Sequence, residues 1–225
     1  MDAERPLEAS LEAIGDLEVD EVADAIETIG FECTRCGVCC RGYGDESHVA
    51  TVFPEEVRAI TNTHEYDWRD VVRPMPFGLA DDGTGETIEW SLATDECGDC
   101  RFLESTEEGA TNCTIYADRP TICRTYPFSL ADSPGGTPMG SPQERVGPVV
   151  AHECEGLGRS IERDEAERLA KELIDRTIGA LHEAMDVRGH LKGSLPTEES
   201  TVVIDSEGYK RPDGSLVHSP SEGQR

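Results

Sequence analysis

Apolar residues recur at helical spacing twice near the start of the chain, at Leu7, Leu11 and Ile14 and again at Val22, Ala25, Ile26 and Ile29. This predicts two short helices, or one broken near Gly15, ending at Gly30. Pro54-Glu55-Glu56 opens another helix, since proline suits the first helical position and acids suit the positive end of the helix dipole. Val57 and Ile60 would be its buried face, and Asp67 to Val72 is a further short helical stretch. The clearest helix begins at Asp164. Leu169, Leu173, Ile174, Ile178, Leu181 and Met185 fall on one face, and Asp164 with Glu167 resembles a capping pair. That stripe is expected to pack on the rest of the chain, with self-association as its other use.

Between the helices the pattern is short and extended. Val49 to Phe53 reads as a short strand, and Asn112 to Tyr116 and Thr125 to Leu130 as short extended pieces around the later cysteines. Met75 to Leu79 and Thr87 to Leu92 flank Asp81-Asp82-Gly83-Thr84-Gly85 and read as a hairpin. Arg41-Gly42-Tyr43-Gly44 is a turn and 133–148 a loop rich in Gly and Pro. The expected fold is α+β: a small, irregular, cysteine-rich, metal-stapled domain with short strands, flanked by N-terminal helices and a long C-terminal helix. Its expected parts are an N-terminal helical segment (1–30), a cysteine-cluster domain (31–157), an amphipathic helix packing on it (158–189) and an acidic flexible tail (190–225).

Charge changes the picture of the surface. Asp and Glu total 47 against 20 Lys and Arg, a formal net charge of -27. Such self-repulsion suits strong salt, where charges are screened within about 3 Å at 1 M. The acids run along the whole chain, as expected of a halophile's protein, from an archaeon by our reading. With no basic patch to neutralise phosphates, a nucleic-acid partner is disfavoured. No apolar leader and no run near the ~18 residues of a membrane span is visible, so a cytoplasmic protein is expected, with no membrane partner.

The chemistry lies in the cysteines. Cys33-Thr34-Arg35-Cys36-Gly37-Val38-Cys39-Cys40 places four sulfurs within eight residues, and Cys97, Cys100, Cys113, Cys123 and Cys154 follow. Clustered thiols in a reducing compartment bind metal more often than they form disulfides. Thiolate is a soft ligand that suits zinc and iron–sulfur clusters, each normally held by four protein ligands. Pairing Cys33/Cys36 with Cys97/Cys100 as a zinc ribbon is weak, because the gap far exceeds the usual ~15–20 residues. Cys33, Cys36 and Cys39 match the first three ligands of a ferredoxin run, but Cys40 follows at once and no proline completes it. Adjacent side chains on extended backbone face opposite ways, so Cys39 and Cys40 would serve different centres, or one binds while the other packs. Nine cysteines allow two four-sulfur sites and one spare, or one site with structural thiols.

Arg35, Arg41, Arg101 and Arg124 each sit beside a cysteine, although the chain has only seventeen arginines. Guanidinium groups there would favour thiolates and offset the charge of a thiolate–metal centre. Pro120 suits the first turn of a short helix delivering Cys123, and Tyr126 and Phe128 can wall the centre from water. His152, two residues before Cys154, is a further possible ligand, although most single histidines are solvated or packed. No P-loop, dinucleotide, G-x-S-x-G or H-E-x-x-H fingerprint occurs.

Cys33-x-x-Cys36-Gly37-x-Cys39-Cys40, Cys100-Arg101-Phe102-Leu103, Cys113-Thr114-Ile115-Tyr116 and Arg119-Pro120-x-x-Cys123-Arg124-x-Tyr126-Pro127-Phe128 together resemble the YkgJ-like cysteine-cluster family. Its members are described as zinc- or iron-chelating and often labelled iron–sulfur cluster proteins. The resemblance runs from about Phe31 to Gly156. It implies ligands at Cys33, Cys36, Cys39, Cys40, Cys100, Cys113, Cys123 and Cys154, with Cys97 spare and Arg119, Arg124 and Tyr126 around them. The first expectation is an iron–sulfur protein, with a 4Fe-4S cluster as the cofactor, serving redox, maturation or modification chemistry on an unknown protein partner. A zinc-binding structural or interaction module is the second. The third is an enzyme that uses a redox dithiol or modifies a macromolecule, so catalysis stays open. A monomer or weak homodimer is expected.

Overall fold

The computed structural model describes residues 7–42, 47–105, 111–131, 140–191 and 201–217. In chain order the first elements are α1 (Leu7–Gly15), α2 (Val19–Ile29), β1 (Thr51–Val52), α3 (Pro54–Thr63), α4 (Trp68–Val71), β2 (Val72–Pro74), β3 (Glu86–Ile88) and β4 (Trp90–Leu92). There follow β5 (Leu103–Ser105), β6 (Thr111–Cys113), α5 (Thr121–Thr125), β7 (Phe128–Leu130), β8 (Pro142–Val146) and β9 (Val149–His152). The chain closes with α6 (Arg163–His190), β10 (Val202–Asp205) and β11 (Gly208–Lys210). Short strands between helices, with a long helix near the end, make an α+β fold, as the pattern predicts. The chain divides into two compact units, one of residues up to 50 with 94–181, the other of 51–93 with residues from 182 onward.

The first unit carries all nine cysteines. Its sheet has the order β7-β9-β8, antiparallel throughout. Val22 and Ile26 of α2, Phe128 of β7, Val149 and Ala151 of β9, and Ala166, Ala170, Leu173 and Leu181 of α6 form one core. Each fully buried aliphatic or aromatic side chain there contributes about 1.5–3 kcal/mol. Leu169, Leu173, Ile174 and Leu181 of the α6 stripe are all buried in this core, which leaves little of the stripe for a second copy. The expected break at Gly15 and the stop at Gly30 are both found; Gly30 has a φ of 73°, which ends the helix at little cost for glycine. Glu167 does not cap with Asp164. It binds the Arg163 guanidinium at 2.6 Å, and that guanidinium also takes Asp20, Asp24 and Glu27 of α2. An arginine offers five donors in one plane and outcompetes a capping contact for the carboxylate. The loop expected over 133–148 contains strand β8, and residues 132–139 lie outside the described residues.

The second unit holds two three-stranded sheets, β1-β4-β2 and β11-β10-β3. Helix α3 starts at Pro54 as expected, and the Glu56 carboxylate accepts the Phe53 N–H at 3.1 Å. The hairpin expected around Asp81 to Gly85 is found: the Ala80 N–H closes the turn on the Thr84 carbonyl at 2.9 Å, Leu79 bridges Gly85, the Met75 N–H reaches the Glu89 carbonyl at 3.3 Å, and β2 pairs antiparallel with β4. Its second strand breaks at Glu89, whose φ of 66° sends Glu86–Ile88 to one sheet and Trp90–Leu92 to another. The flexible tail expected over 190–225 needs a larger correction. Val202 to Asp205 is a fully buried strand, parallel to β3 on one side and antiparallel to β11 on the other. Four consecutive residues are buried because both faces of this middle strand are covered. Residues 192–200 and 218–225 of that tail lie outside the described residues.

Candidate metal centre

Backbone pairing builds the first half of the site. Glu32 donates to the Gly156 carbonyl at 3.1 Å and Gly158 to the Gly30 carbonyl at 3.0 Å, so Cys33 leaves α2 alongside Cys154. Gly156 returns its own N–H to the Cys154 sulfur at 3.4 Å. The C-x-x-C knuckle then turns through Arg35, at φ 55°, and Gly37, at φ 75°. Thr111 of β6 plugs it: the hydroxyl donates to the Arg35 carbonyl, and a Cβ on Gly37 would sit only 2.7 Å from that oxygen. Gly37 therefore answers both a left-handed turn and a close approach. Val38–Cys40 is a single 3-10 turn. Extended backbone would have sent the two adjacent sulfurs to opposite faces; the turn instead leaves Cys39 Sγ and Cys40 Sγ 3.9 Å apart.

The later cysteines reach this knuckle from other elements. Cys100 donates its N–H to the Cys40 carbonyl at 2.7 Å and bridges to Thr94. The loop before it is held by the Asp95 carboxylate, which accepts from the N–H groups of Cys97 and Asp99. Cys113 ends β6, opposite Leu103 of β5. Cys123 lies on α5, the short helix that Pro120 was expected to start, and Pro120 accepts the Cys123 N–H at 2.9 Å.

Electrostatics sorts the sulfurs into two neighbourhoods. Burial raises the pKa of Cys123, and negative charge on Cys100, Cys39 and Cys113 raises it further. Cys100 is pushed to about 11 by burial, with Cys113 and Cys39 adding to it. Cys154 is raised by burial and then by Cys36, Cys39 and Cys33. Cys39 is raised by its contact with Cys40 and by burial, so it faces both groups. Cys97 is exposed and is not among the charges acting on any of these thiols.

The surroundings partly match expectation. Arg119 is the cation that offsets part of the rise at Cys39, Cys113 and Cys123. Two of the arginines adjacent to cysteine in sequence hold other partners: Arg124 bonds Glu172 at 3.3 Å and the Arg119 carbonyl at 2.9 Å, and Arg41 lies 3.7 Å from Asp99. Adjacency along the chain misplaces these charges, because a helix or turn swings neighbouring side chains apart. Arg119 was visible only through the family motif. Tyr126 donates its hydroxyl to the Glu153 carbonyl, and burial beside Cys154 raises its pKa. His152 is not a ligand as placed, since both ring nitrogens are engaged, by Ser129 at 2.8 Å and the Gly140 carbonyl at 3.2 Å.

Residues 32–155 match the family model CxxCxxCC, described as a "putative zinc- or iron-chelating domain". The chain belongs to this family. No curated protein and no solved structure matches the chain. The CxxCxxCC match takes in every cysteine and both neighbourhoods, and metal binding is the property that its description carries. The donor set fits a soft or borderline metal: the thiols share one region, and the one histidine beside them is engaged elsewhere. Among the described residues no three Cys, His, Asp or Glu side chains form a group that could hold a metal ion. No described helix is long and apolar enough to cross a membrane.

Proposed function

We propose that this chain is a cytoplasmic iron–sulfur protein whose cysteines form two four-sulfur sets. One set is Cys33, Cys36, Cys154 and Cys39; the other is Cys100, Cys113, Cys123 and Cys40, and Cys97 stays outside both. The supporting observation is the pair of electrostatic neighbourhoods meeting at Cys39, with Cys40 tied to Cys100 through the backbone. A bound iron–sulfur cluster would supply one-electron transfer. The residues around it do the rest. Arg119 offsets thiolate charge, Thr111 and Gly37 fix the knuckle, and Tyr126 holds the 153–154 segment against the centre. The exposed position of Cys33 favours a centre that exchanges electrons with, or modifies, a protein partner, since a purely structural ion gains nothing from the rim.

The zinc module is the second reading, favoured by the short elements of the site, which a metal would staple without any chemistry. The test is anaerobic purification in strong salt, followed by metal and acid-labile sulfide analysis with an absorption spectrum. Iron with matching sulfide and a broad visible band supports the cluster. Zinc with no visible band, after expression with ample iron, overturns it.

A further inference from the structure

Arg35 is a cation that the centre does not use. It occupies the middle of the knuckle at φ 55°, where any residue with a Cβ is strained and glycine is not. Its backbone role, accepting from Thr111, needs no side chain at all. The side chain lies over the Tyr116 ring, its guanidinium carbon 4.5 Å from the centroid, and Arg119 lies over the same ring at 3.7 Å. The two guanidinium carbons are thus at most about 8 Å apart, within a physiological Debye length, where like charges still repel. Arg119 acts on the Cys39, Cys113 and Cys123 thiols, whereas Arg35 is not among the charges acting on any shifted thiol. Nor does either arginine hold a carboxylate among the described residues, in a chain with 47 acids. Arg41, Arg58, Arg69, Arg124, Arg159, Arg163 and Arg168 all do. The Tyr116 side chain that both touch is half-buried.

We propose that Arg35, Tyr116 and Arg119 form an oxyanion-binding site at the rim of the metal centre, taking a carboxylate or phosphate group of the molecule on which the centre acts. Stacking on an aromatic face orients a guanidinium and leaves N–H donors at its edge, the geometry that a carboxylate or phosphate matches; at Arg119 the Nε–H is taken by the Tyr116 carbonyl at 3.0 Å, so its Nη groups are the donors there. In a chain of net charge -27, this pair is also a local attraction for an anion that the rest of the surface repels. The inference rests on the proposed metal centre for its purpose, but not for its detection.

The test uses the full chain, metal-loaded, titrated with inorganic phosphate and separately with a hexaglutamate peptide, while the arginine Nε–Hε signals are followed by NMR. Saturable binding that Arg35→Gln weakens about tenfold or more is expected, as for loss of one charge-assisted contact. The probe that binds tighter names the source of the anion. Arg35→Gly serves as the control, because it relieves the left-handed backbone: it should lose binding equally while keeping or raising thermal stability. No saturable binding of either probe, or unchanged affinity in Arg35→Gln, overturns the site. Metal content is measured on the same samples. Its absence would count against the metal centre, whereas lost binding with metal retained bears on Arg35 alone.

Discussion

Cys100 donates its backbone N–H to the carbonyl of Cys40 at 2.7 Å. This single bond joins the end of the CxxCxxCC run to a cysteine sixty residues later and fixes which late cysteines meet the early ones. A distant C-x-x-C need not pair with the first to make a site. One of its members, Cys100, is buried beside the run; the other, Cys97, lies on the exposed loop that Asp95 holds.

Cysteine substitutions should therefore sort by neighbourhood. Cys36→Ser and Cys123→Ser are each expected to lose roughly half of the bound metal together with part of the folded signal, since metal binding is coupled to folding. The double variant should bind almost none. Cys97→Ser should keep both. Metal analysis and circular dichroism on the four proteins decide it, and a Cys97→Ser loss equal to the others would place the spare thiol wrongly.

Gly156 presents its N–H to the Cys154 sulfur and its carbonyl to Glu32. A methyl group there would collide with the Glu32 carbonyl oxygen, a backbone atom that cannot swing aside. Gly156→Ala should cost about 1–3 kcal/mol, typical of forced overpacking. Denaturant unfolding measures this, and metal retention should fall with it.

In the second unit, burial raises the pKa values of Glu89 and Glu183, and charge on Asp205 raises Glu183 further. The folded chain then holds these protons more tightly than the unfolded chain does. Their contribution to stability rises as pH falls through the raised folded values, and is complete below the unfolded carboxylate range. Unfolding midpoints should therefore increase from pH 7 towards pH 5. Glu183→Gln, which keeps an oxygen for the Ser206 N–H, should raise stability at pH 7 and flatten this slope. An unchanged slope in that variant would remove Glu183 from the account.

Lys210 and Asp205 are an almost fully buried pair at 2.8 Å, and Asp205 also accepts from Trp90 Nε1 at 2.8 Å. Lys210→Met leaves a buried carboxylate without its cation and should destabilise the protein by about 3–5 kcal/mol. Lys210→Met with Asp205→Asn removes both charges and should recover much of that loss. Tryptophan fluorescence during denaturant unfolding follows both variants, because Trp68 and Trp90 pack edge to face beside Lys210.

The local signals were legible without coordinates. Helical spacing in 7–29 and beyond Asp164, proline at the start of α3 and α5, and the order of cysteine motifs depend on neighbours a few residues apart, and they determined the helices, the α+β class and the family. Other features are set by distant partners. Val202 to Asp205 reads as a polar tail's brief apolar run until β3 and β11 cover it on both sides. Glu167 leaves a capping position because Arg163 offers a stronger contact. The 3-10 turn at Cys39 and Cys40, the placement of Arg119 rather than Arg124 against the thiols, and the unpaired stack of Arg35 on Tyr116 were decided by tertiary structure. The sequence determined which atoms could bind a metal, because that is a property of residue type. Which atoms are neighbours depends on backbone hydrogen bonds between segments sixty or more residues apart, and those exist only in the fold.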